Sequence, residues 1–397
     1  MPSNALAQIA AVTTMNLQNV SSRLTSSIVA LIGIAGVVTV LIGVLSIGEG
    51  FRAVLDKSGQ DDVAIVLRSG ATDEMGSGLA QQQVRVIGDA PQIAKDVDGA
   101  IVSPELYVIV DVRLKSTGSV GNAPLRGVGP QASKLRKGFR IVEGRSFTPG
   151  KFEIIVGRGA AQEFKNLTVG STLHAGTTDW VVTGMFADEG SVAQSEIWTD
   201  ATVLQNAYSR GPTYQSTRVR LTSAGAFKSF KDQLTADPRL NVRLFTEREY
   251  YEEQSRQMVE LVRTIGVAIA VLMGLGAMFA ALNTMYSAVS SRTREIATLR
   301  ALGFGRTPVI ISVLIESLII GVVGGLIGMI IAYFTFNGLH ASTLNYASFS
   351  QITFAFAVTP LLMALAVAYA LLLGFIGGLL PSVRAARLPI TSGLREL

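Results

Sequence analysis

Four apolar runs, each long enough to cross a bilayer, constrain this chain more than any other feature. A spanning helix needs about 20 consecutive, mainly apolar residues. The runs cover residues 28–48, 264–287, 309–336 and 354–380, and the only charge inside them is Glu316. One such run is open to reading as a buried core helix; four in one chain are not. The first is too long for a cleavable signal and has no A-x-A site after it. Composition agrees. Charged residues make up 16% of the 397, against about 25% in a soluble protein. The predicted fold class is therefore an α-helical membrane protein with four transmembrane helices, joined to a large extracytoplasmic α+β domain.

Lys and Arg in short loops fix orientation, because cytoplasmic loops carry the excess. The 288–308 loop holds Arg292, Arg294, Arg300 and Arg306, and the 381–397 tail holds Arg384, Arg387 and Arg395. The 337–353 loop holds none. The loop between the second and third spans and the C-terminus are thus expected inside. Four spans then put the N-terminus inside and the 49–263 region outside. Before the first span, Leu6, Ile9, Val12, Leu17 and Val20 recur at helical spacing. Residues 1–27 are read as an amphipathic helix along the cytoplasmic membrane face.

The outside region alternates short strand and helix signals. Strands are predicted at 63–67, 101–102, 106–114, 217–221 and 242–245, and helices at 92–98 and 226–236. Together these suggest a split βαβ module. Residues 124–210, punctuated by glycines and rich in short strands, read as an inserted β-rich subdomain. The charged segment 246–263 is expected to extend the second span outward as a helical stalk, and 49–57 to do the same for the first.

A search for chemistry finds none. The absence of cysteine removes disulfides, thiolate metal sites and Cys nucleophiles. The two histidines, His174 and His340, lie far apart. The run from Gly144 to Lys151 resembles a phosphate loop only superficially. Five residues separate its glycines and Phe152 follows the lysine, where the loop needs four and a hydroxyl. The acidic residues of the outside region look scattered, as on a solvated surface. Basic residues form no stripe interleaved with aromatics, so nucleic acid is not an expected partner. Gly324 and Gly328, and Gly374 and Gly378, have the small-xxx-small spacing that lets membrane helices approach closely. Glu316 lies near the cytoplasmic end of its span, where it can reach interfacial water or a nearby Arg. A proton-coupling role for it is the competing reading, and it would need more ionisable groups at membrane depth.

The informative cytoplasmic stretch is residues 291–306. Good helix formers are followed by Gly303 and Gly305 as stop signals. Ile296, Leu299 and Leu302 can share one side, with Arg294, Glu295 and Arg300 around them. Such a helix either enters a groove on a soluble partner or is an interfacial loop whose arginines merely set topology.

The run Arg292-Thr-Arg-Glu-Ile-Ala-Thr-Leu-Arg-Ala-Leu-Gly303 resembles the MacB/FtsX-type ABC transporter permease family. So do Glu316-Ser-Leu-Ile-Ile-Gly321, Gly324-Gly-Leu-Ile-Gly328 and Pro381-Ser-Val-Arg-Ala-Ala-Arg387. Ile47-Gly-Glu-Gly-Phe51 and Phe139-Arg-Ile-Val-Glu-Gly-Arg145 fit it too. The resemblance implies a non-catalytic permease subunit in a bacterial inner membrane, with a large periplasmic domain between its first two spans. Arg292, Arg294, Glu295, Ile296, Leu299, Arg300, Leu302 and Gly303 would form a coupling helix on an ABC ATPase. That ATPase, expected as a separate chain, would bind ATP and Mg; this chain itself is expected to hold no cofactor. A second permease copy, identical or paralogous, membrane lipids and, in an efflux system, a periplasmic membrane-fusion protein are the other implied partners. Hydrolysis would move the outside domain (mechanotransmission) for export or extraction of a substrate whose identity is not readable. The alternative is a membrane-anchored sensor or scaffold without transport.

Overall fold

The computed structural model describes residues 5–18, 24–188, 191–345 and 350–393. Val20 and Arg395, used above, lie outside them. The chain divides into two compact units. One comprises Met1–Glu49, Glu260–Leu339 and Phe356–Leu397, the other Gly50–Val259 and His340–Ala355.

The first unit is helical. Four helices are long and apolar enough to cross a membrane: Ile28–Ser58, Glu247–Ser290, Arg306–Phe336 and Pro360–Arg387. Their packing is set by glycines that bring backbones together. A Cβ on Gly321 would sit 2.8 Å from the Ala370 carbonyl, and one on Gly374 2.8 Å from the Ser317 carbonyl. Gly378 abuts the Ser317 side chain. Gly324 and Gly328 close instead on the first span, against Ile34 and against Ala35 and Val38. Thr39 Oγ1 donates across that contact to the Gly328 carbonyl at 3.1 Å. Ile34, Val38, Ile42, Ala332, Ala366 and Ala370 fill the core between the helices. The Ala5–Gln18 helix packs against Arg306–Phe336, with Val12 buried.

The fourth span differs from the sequence reading at both ends. It starts at Pro360, not 354, because Ser350–Ala355 pairs antiparallel with His340–Asn345 as a hairpin. Thr359 then caps the helix by accepting from Leu362 N–H, with Pro360 in the first turn, where its missing N–H is harmless. The helix also runs through Pro381 to Arg387. The hairpin was not foreseen in the 337–353 loop, and it belongs to the second unit. There Thr353 N–H donates to Ser195 Oγ at 3.0 Å and Phe354 meets Phe51 edge-on.

The second unit is built on one ten-stranded sheet. Four antiparallel strands come first, in the order Val242–Thr246, Val63–Arg68, Ser216–Arg220, Val102–Arg113. With the helices Gln81–Gly88 and Phe227–Ala236 they make a split βαβ module with strand order fourth-first-third-second. Ala64, Val66, Ile87, Phe230 and Leu244 are among the residues that form its core. The long Val102–Arg113 strand turns into Val120–Val128 and carries the sheet into the inserted β-rich part. Ile197–Asp200, Glu153–Gly157, Thr178–Asp188 and Phe139–Gly144 follow in order.

One helix was misplaced by the sequence reading. Residues 92–98 are a bridge and a tight hairpin rather than a helix. The Asp98 N–H donates to Asp96 Oδ1, and Gly99 takes φ +106°, a left-handed conformation suited to glycine. The helix lies earlier, at Gln81–Gly88, where Gln83 Oε1 accepts from the Ala80 N–H and Val84 and Ile87 face the core.

Close approach at Gly374 makes a direct test. Gly374→Leu is expected to lose about 1–3 kcal/mol through overpacking. Gly276→Leu, where an added Cβ meets nothing within 4 Å, is expected to leave stability within about 1 kcal/mol. Thermal unfolding in detergent, followed by loss of monodispersity, reads the difference.

Candidate functional site

Two places combine charge, burial and precise geometry, one in each unit. In the first unit, residues Thr293–Ala301 form the expected short helix. Gly303 ends it at φ +96°, and its N–H donates to the Arg300 carbonyl, a left-handed C-terminal stop. Arg292 precedes the helix and turns inward. Its Nη2 lies 2.5 Å from Glu316 Oε1, with both residues buried. Glu316 is thus ion-paired within the bundle, by a residue 24 positions away. Around the pair, Ile296 packs with Met285, Val289, Val309 and Val313. Arg300 Nη1 donates to the carbonyls of Ala386 and Leu388 at 3.0 and 2.7 Å, tying the helix to the end of the fourth span.

This narrows the set of residues read as a docking face. Arg292 and Ile296 are inside the bundle, because each has a partner there that satisfies its charge or apolar surface. Arg300 is spent on carbonyls. Arg294, Glu295, Leu302 and Gly303 are exposed and Leu299 is half-buried. Leu302 is 73% exposed.

The second place was missed at the sequence level. Glu74, Glu105, Glu196 and Glu247, read there as solvated surface, are buried together with Arg126, Arg136 and Arg218. Arg126 makes paired bonds to Glu74 (2.8 and 2.9 Å) and to Glu196 (2.8 and 2.9 Å), and a fifth to Glu105 at 2.9 Å. Arg218 donates to Glu105 at 3.0 Å and to Glu247 at 2.5 Å. Arg136 completes Glu105 at 2.9 Å and lies over the Trp198 ring. Ser216 and the Trp198 indole N–H supply further donors, to Glu74 and Glu196. Unpaired, any of these charges would be too costly to bury; paired in planar forks, each is satisfied.

Position gives the cluster its meaning. Glu105, Arg126 and Arg218 sit on strands of the sheet, and Glu196 just before another. Glu247 is the first residue of the Glu247–Ser290 helix, and Gln60, just after the first long helix, donates to it at 3.3 Å. Tyr251, one turn on, adds its hydroxyl to Arg218. Burial raises the Glu105 carboxyl, but Arg136, Arg218 and Arg126 outweigh burial and hold it at about 2. Glu74 is held well below the usual carboxylate range the same way, by Arg126 and Arg218 against burial. Glu247 is pushed up by burial, which Arg218 and Arg136 do not fully offset. Burial lifts the Tyr251 phenol to about 12. Among the described residues, no His, Cys, Asp or Glu group is arranged to hold a metal ion.

The phosphate-loop-like run Gly144–Lys151 is the end of a strand and a turn, with Gly144 and Gly150 at φ +69° and +81°. Arg145 there is committed to Glu153 at 2.7 and 2.8 Å.

Two family models match the chain. The MacB-like periplasmic core domain matches residues 27–237 and the FtsX-like permease C-terminal model matches residues 267–390. The macrolide export ATP-binding/permease protein MacB of Bordetella avium is 26% identical over 391 residues, covering 92% of this chain and 56% of that protein. Its namesake in Brucella abortus is 32% identical over 141 residues, 36% of this chain and 20% of that protein. The chain therefore spans little more than half the length of such a relative. Among solved structures, the periplasmic region of MacB from Actinobacillus actinomycetemcomitans is 15% identical with a TM-score of 0.37, covering 51% of this chain and 94% of that one.

Two outcomes follow for the buried cluster. Arg126→Ala is expected to destabilise the protein by about 3–5 kcal/mol, because it leaves carboxylates buried without a counter-charge; chemical denaturation followed by Trp198 emission in a Trp180→Phe background measures it. Because the folded Glu105 carboxyl lies below its ordinary value near 4.5, its contribution is present above that pH and is lost as pH falls toward about 2. Acid titration of the same emission is expected to show the loss in that window, and Glu105→Gln to remove that part of the pH dependence.

Proposed function

The chain belongs to the MacB/FtsX-type ABC transporter permease family, and from that premise we propose that it is the mechanotransmitting permease subunit of an ABC transporter. ATP and Mg are bound by a nucleotide-hydrolysing partner on a separate chain, which docks on the Thr293–Ala301 helix. The observation that carries this reading is the two-sided character of that helix. Its inner side is fixed by Arg292–Glu316 and by Arg300, while Leu302 and Arg294 face outward. A fixed inner side lets a push on the outer side move the bundle instead of bending the loop.

Motion then passes along the helices. Residues 260–290 of the Glu247–Ser290 helix belong to the membrane unit and residues 247–259 to the outer unit. That helix follows the sheet strand Val242–Thr246 directly and its first residue is clamped by Arg218, so a displacement of the helix reaches the sheet through the backbone and an ion pair rather than a loose loop. The complex contains two permease copies in the inner membrane, with both termini cytoplasmic and the outer unit periplasmic. It moves a substrate outward or extracts it from the membrane. The sensor or scaffold alternative gives no role to an outward Leu302.

Co-expression with a candidate ABC ATPase subunit, followed by affinity purification in nanodiscs, tests the docking. Wild type is expected to retain the ATPase. Leu302→Asp is expected to lose it while still inserting normally, since a charge buried without a partner at an interface is costly. Undiminished retention and hydrolysis with Leu302→Asp would remove this helix as the docking site and favour the scaffold.

A further inference from the structure

The outer unit holds a second feature that the permease reading does not use. A cleft of about 420 Å³ opens in the β-rich part, against the edge of the split βαβ module. Its volume falls in the range of roughly 300–1,000 Å³ typical of small-molecule sites. Its walls are apolar and aromatic: Phe139, Phe147, Trp198 and Tyr214 line it, with Pro104 at the module side. Phe139 stacks on Trp198 with ring planes 5° apart, and the Arg136 guanidinium lies over the same indole. Phe139, Phe147 and Tyr214 are only partly buried and present ring surface to the cleft.

Among the described residues, the one charged side chain in the lining is Asp200. No lysine or arginine joins it there, in a chain where they outnumber acids by 34 to 29. Asp200 is held in place by two backbone donors, Thr202 N–H at 2.7 Å and Gly150 N–H at 2.9 Å. A carboxylate has about four lone-pair sites, so two remain for a ligand. The helix end that Asp200 caps supplies only about half a positive charge, which leaves the rim negative. Ring faces attract cations through their quadrupole, and a fixed carboxylate beside them adds direct charge attraction.

We propose that this cleft is a binding site for a small aromatic organic cation, seated against Phe139, Phe147 and Tyr214 with its charge toward Asp200. A neutral or anionic molecule of the same shape would gain the apolar contact but not the charge contact. The site is independent of the ATPase docking proposed above, and its occupancy is expected whether or not that docking holds.

The absence of cysteine allows a clean test. Thr202, exposed at the rim, is changed to cysteine in the full chain in nanodiscs and labelled with an environment-sensitive fluorophore. Tetraphenylphosphonium is titrated, with the equally shaped anion tetraphenylborate as its counterpart. A saturable response to the cation is expected, with the anion at least about tenfold weaker, as reversal of one charge contact implies. Asp200→Asn is expected to narrow that difference, and Phe147→Ser to weaken the cation by about tenfold. Equal responses to both ions, no saturable response, or unchanged binding in both variants would overturn the proposal. A response that scales with protein concentration instead of cation would identify a second copy as the occupant and overturn it too. If Phe147→Ser does not fold, the comparison of the two ions on the parent protein decides alone. ATPase retention measured on the same nanodiscs separates failure of this site from failure of the permease reading.

Discussion

Beside its apolar cores, the outer unit is tied together by the burial of Arg126, Arg136 and Arg218 among Glu74, Glu105, Glu196 and Glu247. The split βαβ module and the β-rich insertion share one sheet, and the cluster adds buried side-chain anchors for the start of the Glu247–Ser290 helix and for the 69–80 segment. Glu74 reaches in from that segment to Arg126 and Ser216. Glu247 reaches in from the start of the helix to Arg218. Three cations face four carboxylates, and burial holds Glu247 highest among the cluster's glutamates whose shifts are resolved. Replacing such a cluster with well-packed apolar groups is often neutral or stabilising. Its value therefore lies in geometry: planar guanidinium forks accept only one arrangement of their partners.

The membrane unit follows a different logic. There the driving force for helix association is close packing rather than exclusion of water, and glycine supplies it. Gly321 and Gly374 bring the third and fourth spans into backbone contact, while Gly324 and Gly328 receive the first span. Within this packed frame one ion pair, Arg292 with Glu316, is buried near the end of the third span. It fixes the entry to the Thr293–Ala301 helix, as Arg300 fixes its exit. The two units thus use the same device, a buried Arg–Glu contact.

Much of this was legible in the sequence because the signals were local. Twenty apolar residues announce a span, Gly303 after a run of helix formers announces a stop, and alternating strands with two amphipathic segments announce a split βαβ module. The small-residue spacings at 324/328 and 374/378 pointed to close packing, although not to which helix each would meet. What stayed hidden was long-range. Glu74 and Ser216 are 142 residues apart, and nothing near either shows that they will be buried together, so four glutamates passed as surface. The 340–355 hairpin was hidden because Phe354 and its neighbours read as the start of a span. The Gln81–Gly88 helix was hidden because it is only eight residues long and opens on three glutamines, while the Asx turn at Asp96 imitated a helix end.

The most direct test of the account follows one distance. With no native cysteine to remove, spin labels are placed at Lys228→Cys in the outer unit and Leu272→Cys on the second span, both exposed. The separation is measured by pulsed electron resonance in the complex with its ATPase, with and without trapped ATP. A shift in the distance distribution is expected on trapping ATP. A smaller shift is expected when Arg218 and Glu247 are both replaced by methionine, which removes one cation and one carboxylate together and leaves Glu105 its bonds to Arg126 and Arg136. An unchanged distance on trapping ATP, or a full shift in the double variant, would contradict the proposed transmission.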